Sequence, residues 1–219
     1  MVSSIYNGSA LDGPGIRCVI FMAGCNLRCP FCHNPETFDE SLGKAYTAKE
    51  LSDYVLRYKS YISKGGVTFS GGEPFLQAEF CRGVALMLKR QGIDTAAETN
   101  GHIIDKEFIS ALDLLIVDIK NQSEISGRVI DFLNECGRLN KKVIITNVII
   151  KGVNDGADKL LQLKKLISGF DNIQKIKFLP FKKLCICKYR QLNIDFPYKD
   201  KEEVTSDYIE KTEKLYNSL

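Results

Sequence analysis

Three cysteines fall close together in Cys25-Asn26-Leu27-Arg28-Cys29-Pro30-Phe31-Cys32, a C-x3-C-x2-C run. Thiolates at that spacing in one loop can wrap a single soft metal centre. A cubane iron–sulfur cluster takes four ligands, one per iron. Three local cysteines fill three corners and leave one iron open to something other than protein. Zinc is a second reading, with Cys25, Cys29, Cys32 and His33 as a closed tetrahedral set. It requires adjacent residues to ligate together and lacks the two separated ligand pairs usual in structural sites. Three unligated core thiols are a third reading, at odds with a polar, glycine-preceded loop broken by Pro30.

Other residues suited to chemistry recur downstream. In Gly71-Gly72-Glu73-Pro74 the two glycines let backbone approach a ligand closely, and a carboxylate suits a cationic ammonium. Read alone, the same run is a plain turn. Asp118 and Lys120 alternate at the end of the apolar run Leu114-Leu115-Ile116-Val117 and so share a face. Opposite charges there are costly unless paired or used. Asp12-Gly13-Pro14-Gly15 carries strong turn chemistry. Of the remaining cysteines, Cys18, Cys81 and Cys136 fall in apolar patterns and read as core. Cys185 and Cys187 form a C-x-C pair without enough further ligands for a second cluster.

The elements that must position these residues alternate. Apolar runs at Arg17–Ala23, Val67–Ser70, Asp94–Glu98, Leu114–Lys120, Lys142–Ile150 and Ile173–Leu179 predict six strands. Between them lie helical stripes: Leu51, Tyr54, Val55, Tyr58 and Ile62 behind a Thr47–Glu50 capping box; Leu76, Phe80, Val84 and Leu88; a short helix near Asp105 to Leu112; Ile125, Val129, Leu133 and Cys136; and Leu160, Leu163, Leu166 and Ile167. A last helix spans Glu203 to Tyr216. Strand–helix alternation predicts an α/β fold with parallel pairing and right-handed crossovers. An open doubly wound sheet and a barrel of six units both satisfy it. In either, ligands bind at the C-terminal strand ends. The cysteine loop, the Gly71–Pro74 turn, Glu98 to Gly101, and Asp118 with Lys120 all fall there.

Composition bounds the rest. The chain has 219 residues, 44% apolar and 26% charged, which is ordinary for one globular domain over residues 1–219. A net charge of +3 argues for neither a nucleic-acid nor a membrane partner. No window nears the roughly 18 apolar residues of a membrane span. The first eight residues lack the basic and apolar regions of a secretory leader. The expected setting is cytoplasmic, with thiols reduced.

Gly24 to Pro35 resembles the cluster loop of the radical S-adenosylmethionine (SAM) enzymes. Asp12-Gly13-Pro14-Gly15-Ile16-Arg17 resembles their branch that activates glycyl radical enzymes, most like the pyruvate formate-lyase-activating type. Ser70-Gly71-Gly72-Glu73-Pro74, Thr99-Asn100-Gly101, Asp118-Ile119-Lys120 and Gly152-Val153-Asn154-Asp155 continue the resemblance in order. It implies a partial (β/α)6 barrel. It implies a [4Fe–4S] cluster on Cys25, Cys29 and Cys32, with SAM chelated to the open iron. Reductive cleavage would give a 5′-deoxyadenosyl radical, which takes hydrogen from a glycine in a partner glycyl radical enzyme. Phe31 would flank the adenine, and Gly71, Gly72 and Glu73 would hold the methionine end. Lys120 would contact the cofactor. Glu98, Thr99, Asp118 and the carbonyl of Ile116 would frame a monovalent-cation site, and Asp12 would meet the incoming peptide. Thr146 stands where the family carries Arg and Lys182 where it carries His, both cofactor contacts; Glu98 stands where Asp is expected. A flavodoxin or ferredoxin-type electron donor and a monomeric state are implied. The rival functions are a radical SAM enzyme acting on a small molecule, of the deazaguanine-forming kind, and a non-catalytic metal-binding module. The turn at Asp12 and the absence of a cysteine-bearing insert between Cys32 and Val67 favour a peptide substrate.

Overall fold

The computed structural model describes residues 1–120 and 127–219. Its elements are β1 (Val2–Ser9), β2 (Arg17–Met22), α1 (Ala48–Leu56), β3 (Gly66–Gly71), α2 (Ala78–Lys89), β4 (Thr95–Thr99), α3 (Lys106–Ala111), β5 (Leu114–Asp118), α4 (Gly127–Arg138), β6 (Lys142–Ile149), α5 (Ala157–Ile167), β7 (Ile173–Pro180), α6 (Ile186–Gln191) and α7 (Ser206–Ser218). The strands pair in chain order from β1 to β7. From β2 to β7 every pairing is parallel, with one of α1 to α5 in each crossover. A doubly wound sheet reverses its strand order at a switch point, and this sheet never does. The six parallel strands therefore form a partial (β/α)6 barrel that stays open, with β1 antiparallel on one edge and β7 on the other.

Strands β2, β3 and β5 are buried along almost their whole length, as parallel strands covered on both faces must be. The outer core lies between sheet and helices. A separate cluster of Ala96, Leu114, Ile116 and Ile144 fills the inside of the barrel. The capping box opens α1 as the sequence predicts: Glu50 N–H donates to Thr47 Oγ1 at 3.1 Å, and Thr47 N–H to Glu50 Oε2 at 2.8 Å.

Some boundaries differ from expectation. β1 was not anticipated, because Val2-Ser3-Ser4-Ile5-Tyr6-Asn7-Gly8-Ser9 offers neither an apolar run nor a regular apolar–polar alternation, and several of its residues remain partly exposed, as suits an edge strand. α1 ends at Leu56, and the stripe that continues to Ile62 lies on turns. Leu76 sits on a 3-10 turn, half exposed, ahead of α2. The last helix starts at Ser206 rather than Glu203, and α6 has no counterpart in the sequence reading. In α4, Val129, Leu133 and Cys136 are buried; Ile125 lies outside the described residues. No helix among the described residues is long and apolar enough to cross a membrane.

Candidate functional site

A cavity of about 260 Å³ opens at the C-terminal ends of the parallel strands. Its wall takes residues from every strand of the barrel except β1 or from the chain just past it: the cysteine loop after β2, Ser70 to Gly72 at the end of β3, Glu98 to Asn100 at the end of β4, Ile116, Asp118 and Lys120 at the end of β5, Thr146 and Val148 from β6, and Lys177 and Leu179 from β7. Of the residues singled out in the sequence, Cys25, Cys29, Phe31, Cys32, Gly71, Gly72, Glu98, Thr99, Asp118, Lys120 and Thr146 line it. Asp12, Glu73 and Lys182 do not.

The base of the cysteine loop is stitched to the glycine turn through the main chain. Gly72 N–H donates to the Met22 carbonyl at 2.9 Å, Glu73 N–H to the Gly24 carbonyl at 2.8 Å, and Gly24 N–H to the Thr37 carbonyl at 2.8 Å. A Cβ on Gly72 would stand 2.0 Å from the Gly24 oxygen, so no other residue fits without moving the loop. From the other side Asn100 Nδ2 donates to Asn26 Oδ1 at 2.8 Å. Arg28 lies over Phe38 and donates to the carbonyls of Cys25 and Leu27, closing the loop on itself.

All three thiols are free and partly buried. Burial pushes each above the ordinary thiol range, Cys32 to about 11, while the Lys120 charge works in the opposite direction. Main-chain N–H groups of Leu27 and Asn34 approach the sulfurs of Cys25 and Cys32 at 3.4 Å. Thiols raised by burial ionise when a metal supplies positive charge, and N–H groups aimed at sulfur suit an iron–sulfur cluster. Among the described residues no three His, Cys, Asp or Glu side chains gather to hold one metal ion. The thiols stand instead around one cavity, a donor set that fits a cluster bound through one thiolate per iron.

Across the cavity Lys120 Nζ donates to Asp118 Oδ2 at 2.5 Å and stands 6.0 Å from the centre of the Phe31 ring. Burial alone would lower the Lys120 ammonium, but the Asp118 carboxylate and the nearby thiols outweigh it and hold the pKa up. Asp118 Oδ1 is buried and accepts no hydrogen bond. The longer Glu98 side chain reaches Ser70, whose hydroxyl donates to Oε2 at 2.6 Å. Burial first, then the charge of Asp12, raises the Glu98 carboxyl to about 7.

The three expected residues outside the lining have other partners. Glu73 is fully buried, and its carboxylate accepts from Phe75 N–H (3.1 Å), Thr99 Oγ1 (2.8 Å) and Asn100 N–H (2.9 Å). It braces the turn against the end of β4. Asp12 accepts from Ser9 Oγ through its carboxylate and from Thr68 Oγ1 through its carbonyl at 2.6 Å. Its turn is fixed at Gly15 (φ +74°), where a Cβ would lie 2.1 Å from the Lys64 carbonyl. The neighbouring Leu11, almost fully exposed, reaches the cavity instead. Lys182 directs its ammonium to Glu203 at 3.8 Å and its carbonyl to His33. Sequence reasoning named Ser70 and Asn100 only within their motifs, with no role of their own, and missed Leu11 as a lining residue. Ser70 and Asn100 had a usable signal, since both flank glycines at strand ends.

Residues 11–129 match the family model described as a 4Fe-4S single cluster domain. The chain is 37% identical over 231 residues to the pyruvate formate-lyase-activating enzyme of Clostridium pasteurianum, covering all of this chain and 97% of that one. It is 30% identical over 235 residues to the enzyme of the same name from Staphylococcus aureus (strain USA300), covering 98% and 94%. Among solved structures, a radical SAM methyltransferase from Sphaerobacter thermophilus superposes with a TM-score of 0.63 at 17% identity over 92% of this chain, which spans 64% of that longer protein. That likeness concerns the fold.

Proposed function

The chain belongs to the pyruvate formate-lyase-activating enzymes, and from that premise we propose that its cavity is the active site of a glycyl radical enzyme activase. The observation that carries this reading is the meeting of three partly buried thiols, a glycine turn and the Asp118–Lys120 pair around one cavity at the C-terminal strand ends. Cys25, Cys29 and Cys32 would hold a [4Fe–4S] cluster with one iron left for SAM. When bound, that pair supplies one-electron cleavage of the sulfonium and a 5′-deoxyadenosyl radical able to take hydrogen from a glycine.

The chain's own residues bind, orient and exclude water. Gly71 and Gly72 bring bare backbone within reach of the methionine end, and Glu73 keeps them there through Thr99 and Asn100. Phe31 offers a ring face for the adenine. Lys120, held as a cation by Asp118, suits the cofactor's carboxylate. Glu98, Thr99 and Asp118 would frame a monovalent cation; the unpartnered Asp118 Oδ1 supports that, while Ser70 already engages Glu98. Thr146 would contact the cofactor from β6. Lys182 would act through its carbonyl, and Asp12 by setting the turn that presents Leu11 to the incoming glycine loop. The partner would be a glycyl radical enzyme of the pyruvate formate-lyase kind, and the electron donor a flavodoxin or ferredoxin. The enzyme would work as a single-domain monomer in the cytoplasm.

The test is anaerobic reconstitution with iron and sulfide, reduction, and assay for 5′-deoxyadenosine and for a glycyl radical signal in added pyruvate formate-lyase. Both are expected, and Cys29→Ala abolishes both together with the visible absorption of the cluster. Retained turnover in that variant would refute the ligand assignment. Formation of 5′-deoxyadenosine with no glycyl radical in the partner would point to a small-molecule substrate.

A further inference from the structure

The cysteine loop is also held from a side that the sequence reading did not anticipate: the chain that follows β7. Tyr189 on α6 is buried, and its hydroxyl donates to the carbonyl of Cys32 at 3.2 Å. One residue earlier, Lys188 Nζ donates to Asn34 Oδ1 at 2.9 Å and to Glu36 Oε1 at 2.5 Å. The second oxygen of Glu36 is buried without a hydrogen-bond partner, so the carboxylate depends on Lys188. His33 Nε2 stands 2.8 Å from the carbonyl of Lys182, an acceptor that places the imidazole proton on that nitrogen.

A six-residue helix cannot hold itself in water. α6 is ordered by its anchors: the Tyr189 ring packs 4.8 Å from the Phe196 ring, and Phe196 stacks on Phe181 just after β7. Side chains at two successive α6 positions then point at the loop that carries Cys29 and Cys32. Groups that orient a ligand-bearing peptide also set how firmly a metal centre is held.

We propose that α6 clamps the cysteine loop, with Tyr189 pinning the Cys32 peptide and Lys188 tethering the segment that follows it, so that Cys32 is presented in a fixed geometry for the cluster. The clamp on the loop stands on the contacts alone; its consequence for the cluster rests on the function proposed above.

Tyr189→Phe keeps the ring and loses the donor. Lys188→Met keeps most of the stem and loses both tethers, and Lys188→Arg keeps the charge. Lys165→Ala, on the exposed side of α5, serves as control. In the metal-free protein, amide hydrogen exchange between Phe31 and Phe38 is expected to quicken about fivefold in Tyr189→Phe and at least as much in Lys188→Met, the value of one ordinary hydrogen bond. Lys188→Arg restores most of the protection and Lys165→Ala changes nothing. In protein reconstituted with iron and sulfide, transfer of iron to a chelator is expected to quicken about tenfold in the first two variants. Unchanged loop exchange in both overturns the clamp. If Tyr189→Phe exposes the sheet amides as well, it has unfolded, and Lys188→Met decides. Faster loop exchange with an unchanged rate of iron loss overturns the claim about Cys32. A chain that loses loop protection in these variants yet assembles no cluster in any form upholds the clamp and refutes the cluster assignment.

Discussion

At the scale of single residues, Glu73 shows how a motif residue serves a site it does not touch. Its carboxylate is sealed from solvent, and burial raises its pKa against the pull of three hydrogen bonds. Those bonds tie the glycine turn to Thr99 and Asn100, and Asn100 in turn reaches Asn26 in the cysteine loop. Glu73→Gln keeps the volume but turns an amide N–H2 toward the Asn100 or the Phe75 N–H. A buried donor facing a donor costs about 1–3 kcal/mol, so the urea midpoint of the metal-free protein should fall accordingly. A midpoint equal to that of the parent would mean that the brace is dispensable.

At the scale of elements, the contact between the glycine turn and the root of the cysteine loop has the least room. Gly72→Ala would set a methyl 2.0 Å from the Gly24 oxygen. Backbone cannot yield as a flexible side chain does, so overpacking here should cost about 1–3 kcal/mol and displace the loop that bears the thiols. Denaturation of the metal-free variant and its iron content after reconstitution measure the two effects; a variant equal to the parent in both would show that the two segments are not locked together.

The same scale shows what could be read from the sequence and why. Strands β2, β5 and β6 were the most legible because burial on both faces leaves nearly unbroken apolar runs, and the cysteines, the glycine pair and the Asp118–Lys120 pair because their types are unusual at strand ends. Choosing barrel over doubly wound sheet took a resemblance, since both share one pattern of alternation. β1 was hidden by its mixed face. α6 was hidden because six residues carry too little periodicity, and what fixes Tyr189 is a contact across 157 positions of sequence. The direction of Lys182 was equally illegible: the resemblance put it at a position of cofactor contact, and its ammonium lies 3.8 Å from Glu203.

At the scale of the molecule, the two ends of the barrel do different work. The mouth gathers reactive groups that burial disfavours, and the opposite end carries polar ties between layers. Arg17, almost wholly buried, bonds Thr68, the Val67 carbonyl and Asp94 there. Nearby Asp113 joins three elements: Lys89 at the end of α2 at 2.7 Å, and the N–H and hydroxyl of Thr95 opening β4, from its own place before β5. Lys141, ahead of β6, adds positive charge. Burial works against the Asp113 carboxylate, but the Lys89 hydrogen bond, the Thr95 N–H and the Lys89 charge outweigh it and hold its pKa below the ordinary carboxylate value. A carboxyl whose pKa is depressed by folding stabilises the fold above its unfolded pKa, about 3.9, and that contribution disappears as pH falls through the folded value. At pH 7, Asp113→Asn should lower stability by about 0.5–1 kcal/mol, the range of a partly exposed pair. Once pH has fallen through that depressed folded value the parent carboxylate is protonated as well, and the urea midpoints of parent and variant should converge. A gap that persists undiminished in acid would assign the loss to packing around Asp113 rather than to its charge.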